Sequence, residues 1–229
     1  MSTSSYNAFR RGHWRSGEHV NVSGIKNKSL DIFSDNLVVG ATALKPGPWR
    51  QGSATAKGID NSQINFYGSR ISISSYAEGP EAYAYGMLGS ALRASNKTNK
   101  QIRINSKSRV GFYDPAWGMN DSQIITGKGD DSISINADAG ILNDRRSRSM
   151  GRNANIDSYG LEKSFIDTGK GNDKITISTK SNALYGNATT YGIKDSEIDT
   201  GKGHDKISIN AEANSRSQAS ATAVFESEI

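Results

Sequence analysis

The 229-residue chain has no cysteine, only four prolines and no long apolar run. Without cysteine there are no disulfide frameworks, zinc knuckles, iron–sulfur sites or thiol nucleophiles. No stretch approaches the roughly 20 apolar residues that a membrane-spanning helix needs. The first residues, Met1 to Arg11, lack the apolar run of a secretory signal, so any export is expected to use another route. Hydrophobic residues are 34% of the chain, below the usual ~45–50%, which argues against a thick two-layer core. Helical i, i+3, i+4, i+7 stripes longer than about two turns are also missing.

Small polar residues are abundant: 24 Gly, 32 Ser and 19 Asn. In bulk they suit many tight turns between short strands. The strongest signal is self-similarity. Residues 191–213 read YGIKDSEIDTGKGHDKISINAEA, residues 159–181 read YGLEKSFIDTGKGNDKITISTKS, and residues 117–139 read WGMNDSQIITGKGDDSISINADA. Fainter copies lie at 24–39, 57–74 and 85–105. Gly24, Gly58, Gly86, Gly118, Gly160 and Gly192 mark the register, with spacings of 28 to 42 residues. Each unit runs from Gly-Ile through Ser-x-Ile and a Gly-rich turn to a strand of the Ile-Ser-Ile type, whose period of two gives one buried face.

One unit cannot bury its own isoleucines, whereas stacked units share a thin continuous core. The expected fold is all-β, a single-chain parallel β-solenoid of about six coils of 28–42 residues, spanning 21–229. Residues 221–229 read as a partial seventh coil and 1–20 as a basic N-terminal arm. The long insert 139–158 is expected to bulge out. A β-sandwich of similarly spaced strands is the alternative, but sandwich strands have unlike neighbours and have no reason to repeat.

The turns Gly127-Lys-Gly129-Asp-Asp131-Ser-Ile133, Gly169-Lys-Gly171-Asn-Asp173-Lys-Ile175 and Gly201-Lys-Gly203-His-Asp205-Lys-Ile207 resemble the calcium-binding nonapeptide of RTX β-rolls, Gly-Gly-x-Gly-x-Asp-x-hydrophobic-x. The likeness covers about 27 residues, and Thr126, Thr168 and Thr200 stand where the family has its first glycine. It implies Ca²⁺ between successive turns, held by backbone carbonyls around Gly127, Gly129, Gly169, Gly171, Gly201 and Gly203 and by the carboxylates of Asp131, Asp173 and Asp205. On the residues alone, the glycines also suit tight backbone conformations and each Asp can cap its own turn without metal. A column of Lys128, Lys170 and Lys202, together with a net charge of +5, favours this second reading.

The positive charge is uneven. Arg93, Lys97, Lys100, Arg103, Lys107 and Arg109 fall within 17 residues that hold no acid, and Arg145, Arg146, Arg148 and Arg152 follow against Asp144. Such runs attract anionic surfaces or acidic glycans. No alternation with aromatics suggests specific nucleic-acid recognition. The arm adds Arg10, Arg11 and Arg15 around His13 and Trp14. Acids recur with the repeat, and His204 occupies a turn position filled elsewhere by Asp130 and Asn172. No Ser/His/Asp set or phosphate loop is present, so no enzymatic activity is expected.

The basic arm and the C-terminal Glu226 and Glu228 would let one copy complete the sheets of another, in a heterologous contact that runs on as a fibre. Two functions follow. One is a non-enzymatic structural protein that assembles head to tail by strand complementation into a fibre or a surface or virion appendage. The other is a monomeric calcium-stabilised module that attaches to an anionic surface or glycan. The matching locations are extracellular or cell-surface without a signal peptide, or a virion, with a cytoplasmic one left open.

Overall fold

The computed structural model describes residues 2–12, 19–45, 52–94, 98–109, 115–140, 154–184 and 186–229. Strand β1 (Thr3–Arg11) lies beneath six coils. The first coil is β2 (Val20–Lys26), β3 (Ser29–Ile32) and β4 (Asn36–Leu44); the second is β5 (Ser53–Asp60), β6 (Gln63–Phe66) and β7 (Arg70–Glu78). β8 (Glu81–Leu88), β9 (Ala91–Arg93) and β10 (Gln101–Arg109) form the third, and β11 (Ala116–Asn120), β12 (Gln123–Ile125) and β13 (Ser132–Gly140) the fourth. β14 (Ile156–Glu162), β15 (Phe165–Asp167) and β16 (Lys174–Asn182) make the fifth, then β17 (Asn187–Lys194), β18 (Glu197–Asp199) and β19 (Lys206–Asn214) the sixth. β20 (Gln218–Phe225) closes the stack.

Every third strand pairs, all in parallel, to give three sheets. Sheet A is β1-β4-β7-β10-β13-β16-β19, sheet B is β2-β5-β8-β11-β14-β17-β20, and sheet C is β3-β6-β9-β12-β15-β18. The solenoid expected from the repeat is therefore present. The parallel solenoid accords with RTX-like repeats but is not specific to them. Residues 3–11, read from sequence as part of a basic arm, are a full strand paired with β4 from Thr3↔Asn36 to Arg11↔Leu44. Half-buried Ser4, Tyr6 and Ala8 alternate with exposed Thr3, Ser5, Asn7 and Phe9, the period of a sheet A strand, which the count of arginines obscured. The C-terminal stretch read as a partial coil pairs within the chain, with Ala221 opposite Thr190 and Val224 opposite Ile193. Most of the insert 139–158 lies outside the described residues. Among the described residues no helix is long and apolar enough to cross a membrane.

The core is a wedge. Its wide side stacks one isoleucine-type residue per coil, as in Leu37–Ile71–Ile102–Ile133–Ile175 and Leu30–Ile64–Leu92–Ile124–Ile166–Ile198. Each such side chain contributes about 1.5–3 kcal/mol on full burial. On the narrow side, alanines of sheets A and B meet directly, for example Ala41, Ala43, Ala54 and Ala56. The register glycines lie where this wedge is tightest: a Cβ on Gly160 would run into Ile177 and the carbonyl of Gly192. The core thins at the top, where Ile207 and Ile209 are only partly buried.

Candidate functional site

From the second coil on, the corner between sheets B and C is built from one left-handed residue followed by serine. Asn61, Asp121, Lys163, Asp195 and Glu226 have φ between 44° and 49°, except Lys163 at 50°. At each step the serine N–H donates to the serine hydroxyl one coil up: Ser122 to Ser164 at 3.2 Å, Ser164 to Ser196 at 3.0 Å, Ser196 to Ser227 at 3.1 Å. Each hydroxyl in turn donates to the carbonyl two residues earlier, as Ser164 does to Glu162 at 2.8 Å. The repeated Ser-x-Ile is thus a hydrogen-bond ladder. Along this corner runs a groove of about 810 Å³, whose lining includes Asp121, Asp195, Glu197, Glu226 and Glu228.

The Gly-Lys-Gly turns join sheets C and A. Lys128 bridges Lys170, and Lys170 bridges Lys202, in parallel β fashion. Gly127 O accepts the Lys170 N–H at 2.8 Å and Gly169 O that of Lys202 at 2.9 Å; Lys170 O and Lys202 O accept from Gly129 and Gly171. The turns stack so closely that a Cβ on Gly171 or Gly203 would overlap the carbonyl of the glycine one coil below. Gly169 and Gly201 also sit at φ of +81° and +72°, where L side chains are strained. Thr126 and Thr168, both buried, turn their hydroxyls to the carbonyls of Thr168 and Thr200. That use explains why threonine replaces the first glycine of the RTX pattern.

The aspartates cap across coils, whereas the sequence suggested that each caps its own turn. Asp131 Oδ1 accepts the N–H of Lys100 at 2.6 Å, Asp173 Oδ1 that of Asp131 at 2.7 Å, and Asp205 Oδ1 that of Asp173 at 2.9 Å. The reason is the coil-to-coil spacing: the carboxylate reaches the strand below more easily than its own tight turn. A second, exposed ladder runs upward beside it, from Asn99 to the Asp130 N–H, Asp130 to Asn172, and Asn172 to His204. This explains the variable position that His204 shares, and Asn99-Lys100 before Gln-Ile was its overlooked sequence mark.

The donor set does not fit an RTX-type calcium ion. The turn carbonyls named above and one oxygen of each aspartate are already occupied by N–H donors, while Ca²⁺ takes six to eight oxygens. Of the turn aspartates among the described residues, Asp131 and Asp173 each keep a buried Oδ2 without a hydrogen-bond partner. Among the described residues no group of three or more His, Cys, Asp or Glu side chains is placed to hold a metal. Burial pushes the pKa of both carboxyls up; the neighbouring charges of Asp205 and Asp130 add to this at Asp173.

The basic run 93–109 does not form one patch. Arg93 lies on β9 in sheet C and Lys100 is buried with its ammonium on the Thr98 carbonyl at 2.7 Å. Arg103 and Lys107 face outward on sheet A, and Arg109 is paired with Asp138. The coil geometry places Arg93 in sheet C and Arg103, Lys107 and Arg109 in sheet A. Arg10 and Arg11 end β1, while Arg15, Lys97 and the arginines of 145–152 lie outside the described residues.

Sequence reading missed an aromatic ladder on the outside of sheet B. Tyr85, Trp117, Tyr159 and Tyr191 stack at centroid distances of 4.4, 5.5 and 5.5 Å with interplanar angles of 1°, 9° and 12°. Its mark was the aromatic before Gly86, Gly118, Gly160 and Gly192. Glu162 accepts from Trp117 Nε1 and Asn120 at 2.8 Å and from Lys194 at 3.1 Å, and Lys194 sits over the Tyr159 and Tyr191 rings. Burial works against the Lys194 charge, but the Glu162 bond together with the charges of Glu162 and Asp195 outweighs it and raises the pKa. The facing rings are spent on one another, so the ladder stiffens the stack. Comparison with family models, curated proteins and solved structures found no match to this chain.

Proposed function

We propose that the protein is a non-catalytic structural element that assembles head to tail, the edge strands of one copy completing the sheets of the next. The observation that carries this reading is that both ends of the stack leave parallel strand edges unpaired. β1, β2 and β3 pair on one side only, and so do β19 and β20. Unpaired parallel edges invite a further strand of the same register. β19 and β1 are both nine residues long, so the column Ser72–Arg103–Ser134–Thr176–Ser208 would continue at Ser5 of the next copy. Ile229 follows Glu228, which bridges Glu197, and so sits above Ile198 in the core column. It is 63% exposed and would meet Leu30 of the next copy.

Charge supports the same polarity. The described residues up to Lys45 hold five Lys and Arg against two Asp, while residues 195–229 hold seven acids against three Lys and Arg. Such a contact is heterologous and extends as a filament unless it closes on itself. The test uses the cysteine-free background. A chain carrying Ser5→Cys and Ser208→Cys should give a ladder of oxidised oligomers, because facing Cα atoms would be about 5 Å apart. Asn7→Cys with Ser208→Cys should not. Monomers alone in sedimentation at high protein concentration would remove the proposal.

A further inference from the structure

The outer face of sheet A has its charges sorted. Acids appear only in its last two outward columns, where Asp138 pairs with Arg109, Glu212 with Lys180, and Glu78 accepts the Tyr76 hydroxyl. The first two outward columns carry cations and no acid: Arg70 on β7, Arg103 on β10, Lys174 on β16 and Lys206 on β19. All four are exposed, and the ion pairs found among the described residues all involve other side chains. Between these columns lies a groove of about 520 Å³ that crosses five strands. Arg70 and Arg103 stand on its opposite banks, one strand and two residues apart, or about 8 Å. Ser72 and Ser134, in the column of Arg103, add hydroxyls to its lining.

We propose that this groove and the cationic stripe continuing from it bind a linear sulfated polysaccharide lying along the solenoid axis. The planar guanidiniums suit the paired oxygens of a sulfate ester. The serine hydroxyls donate to or accept from sugar hydroxyls between charges. From Arg70 to Lys206 the stripe spans four strand spacings, about 19 Å, so one chain engages all four cations without bending. No aromatic ring lines the groove, so bases of a single strand would find nothing to stack on. The contiguous run 93–109 contributes one member, Arg103. The other three come from coils far apart in sequence.

Binding of dextran sulfate is measured by calorimetry at about 50 mM and about 200 mM salt, beside neutral dextran and duplex DNA. The full chain is expected to bind dextran sulfate with strong salt dependence, and neutral dextran not at all. Arg70→Ser with Arg103→Ser should weaken binding roughly tenfold or more and flatten the salt dependence, since a cation that pairs with the polyanion releases counterions. Lys174→Ser with Lys206→Ser should weaken it less, and Lys107→Ser with Lys180→Ser, on the acid-bearing columns, by no more than about twofold. Equal losses in all three double variants would reduce the effect to net charge and overturn the site. Unchanged binding by the arginine variant, or duplex DNA binding as tightly as dextran sulfate, would overturn it too.

Discussion

Asp173 Oδ1 accepts the backbone N–H of Asp131 at 2.7 Å, from one coil above. Each of the two residues keeps a buried carboxylate oxygen with no partner. The same side chain therefore stabilises the stack through one oxygen and opposes it, when ionised, through the other.

Replacement by asparagine separates these effects. Asp173→Asn keeps the acceptor and should melt no lower than the parent at pH 7. Asp173→Ala leaves the Asp131 N–H unpaired and should cost about 1–3 kcal/mol, read by urea unfolding.

The pH dependence has a definite sign. Burial raises the pKa of Asp131 and Asp173 in the folded state above the ordinary value of about 3.9. The folded chain then binds more protons than the unfolded one in that window. Their contribution to stability is fully present below about 3.9 and is lost as pH rises through the folded pKa. Melting temperatures between acid and neutral pH should decline less steeply in Asp131→Asn/Asp173→Asn than in the parent.

Calcium should leave the fold unmoved. A ligand at a hundred times its Kd adds about 2.7 kcal/mol, a shift of several degrees that calorimetry resolves easily. Scans in millimolar calcium and in chelator are expected to coincide, because one oxygen of each turn aspartate and the carbonyls of Gly127, Gly169, Lys170 and Lys202 already accept N–H bonds.

Gly160→Ala should lower stability by about 1–3 kcal/mol by overpacking, since its Cβ meets Ile177 and the Gly192 carbonyl. The measurement is the urea midpoint, with Gly140→Ala, whose nearest neighbour is the Asn182 Cβ at 3.3 Å, as the milder comparison.

Ile135, 1% exposed, and Ile209, half-buried in the same column, report on end-to-end contact. In dilute solution Ile135→Ala should cost about 2–5 kcal/mol and Ile209→Ala clearly less. If copies stack, the Ile209 cost rises with protein concentration, and a concentration-independent gap would argue against stacking.

The linear repeat contained the coil number, the strand faces and the register glycines, because identical coils see identical neighbours and so select identical residues. Ser122, Ser164 and Ser196 were legible as a recurring Ser-x-Ile, and the turns as Gly-Lys-Gly-x-Asp. Their hydrogen-bond partners were not, since each lies 31 to 42 residues away, one coil up or down. The same applies to β1, whose arginines marked it as an arm until pairing with β4 placed it in sheet A. Tertiary structure alone decided which charges share a face: it divided the run 93–109 between sheets C and A and a buried lysine, and gathered Arg70, Arg103, Lys174 and Lys206 into one stripe. Sequence order sets the position along a coil, whereas the roughly 5 Å rise between coils sets which residues become neighbours.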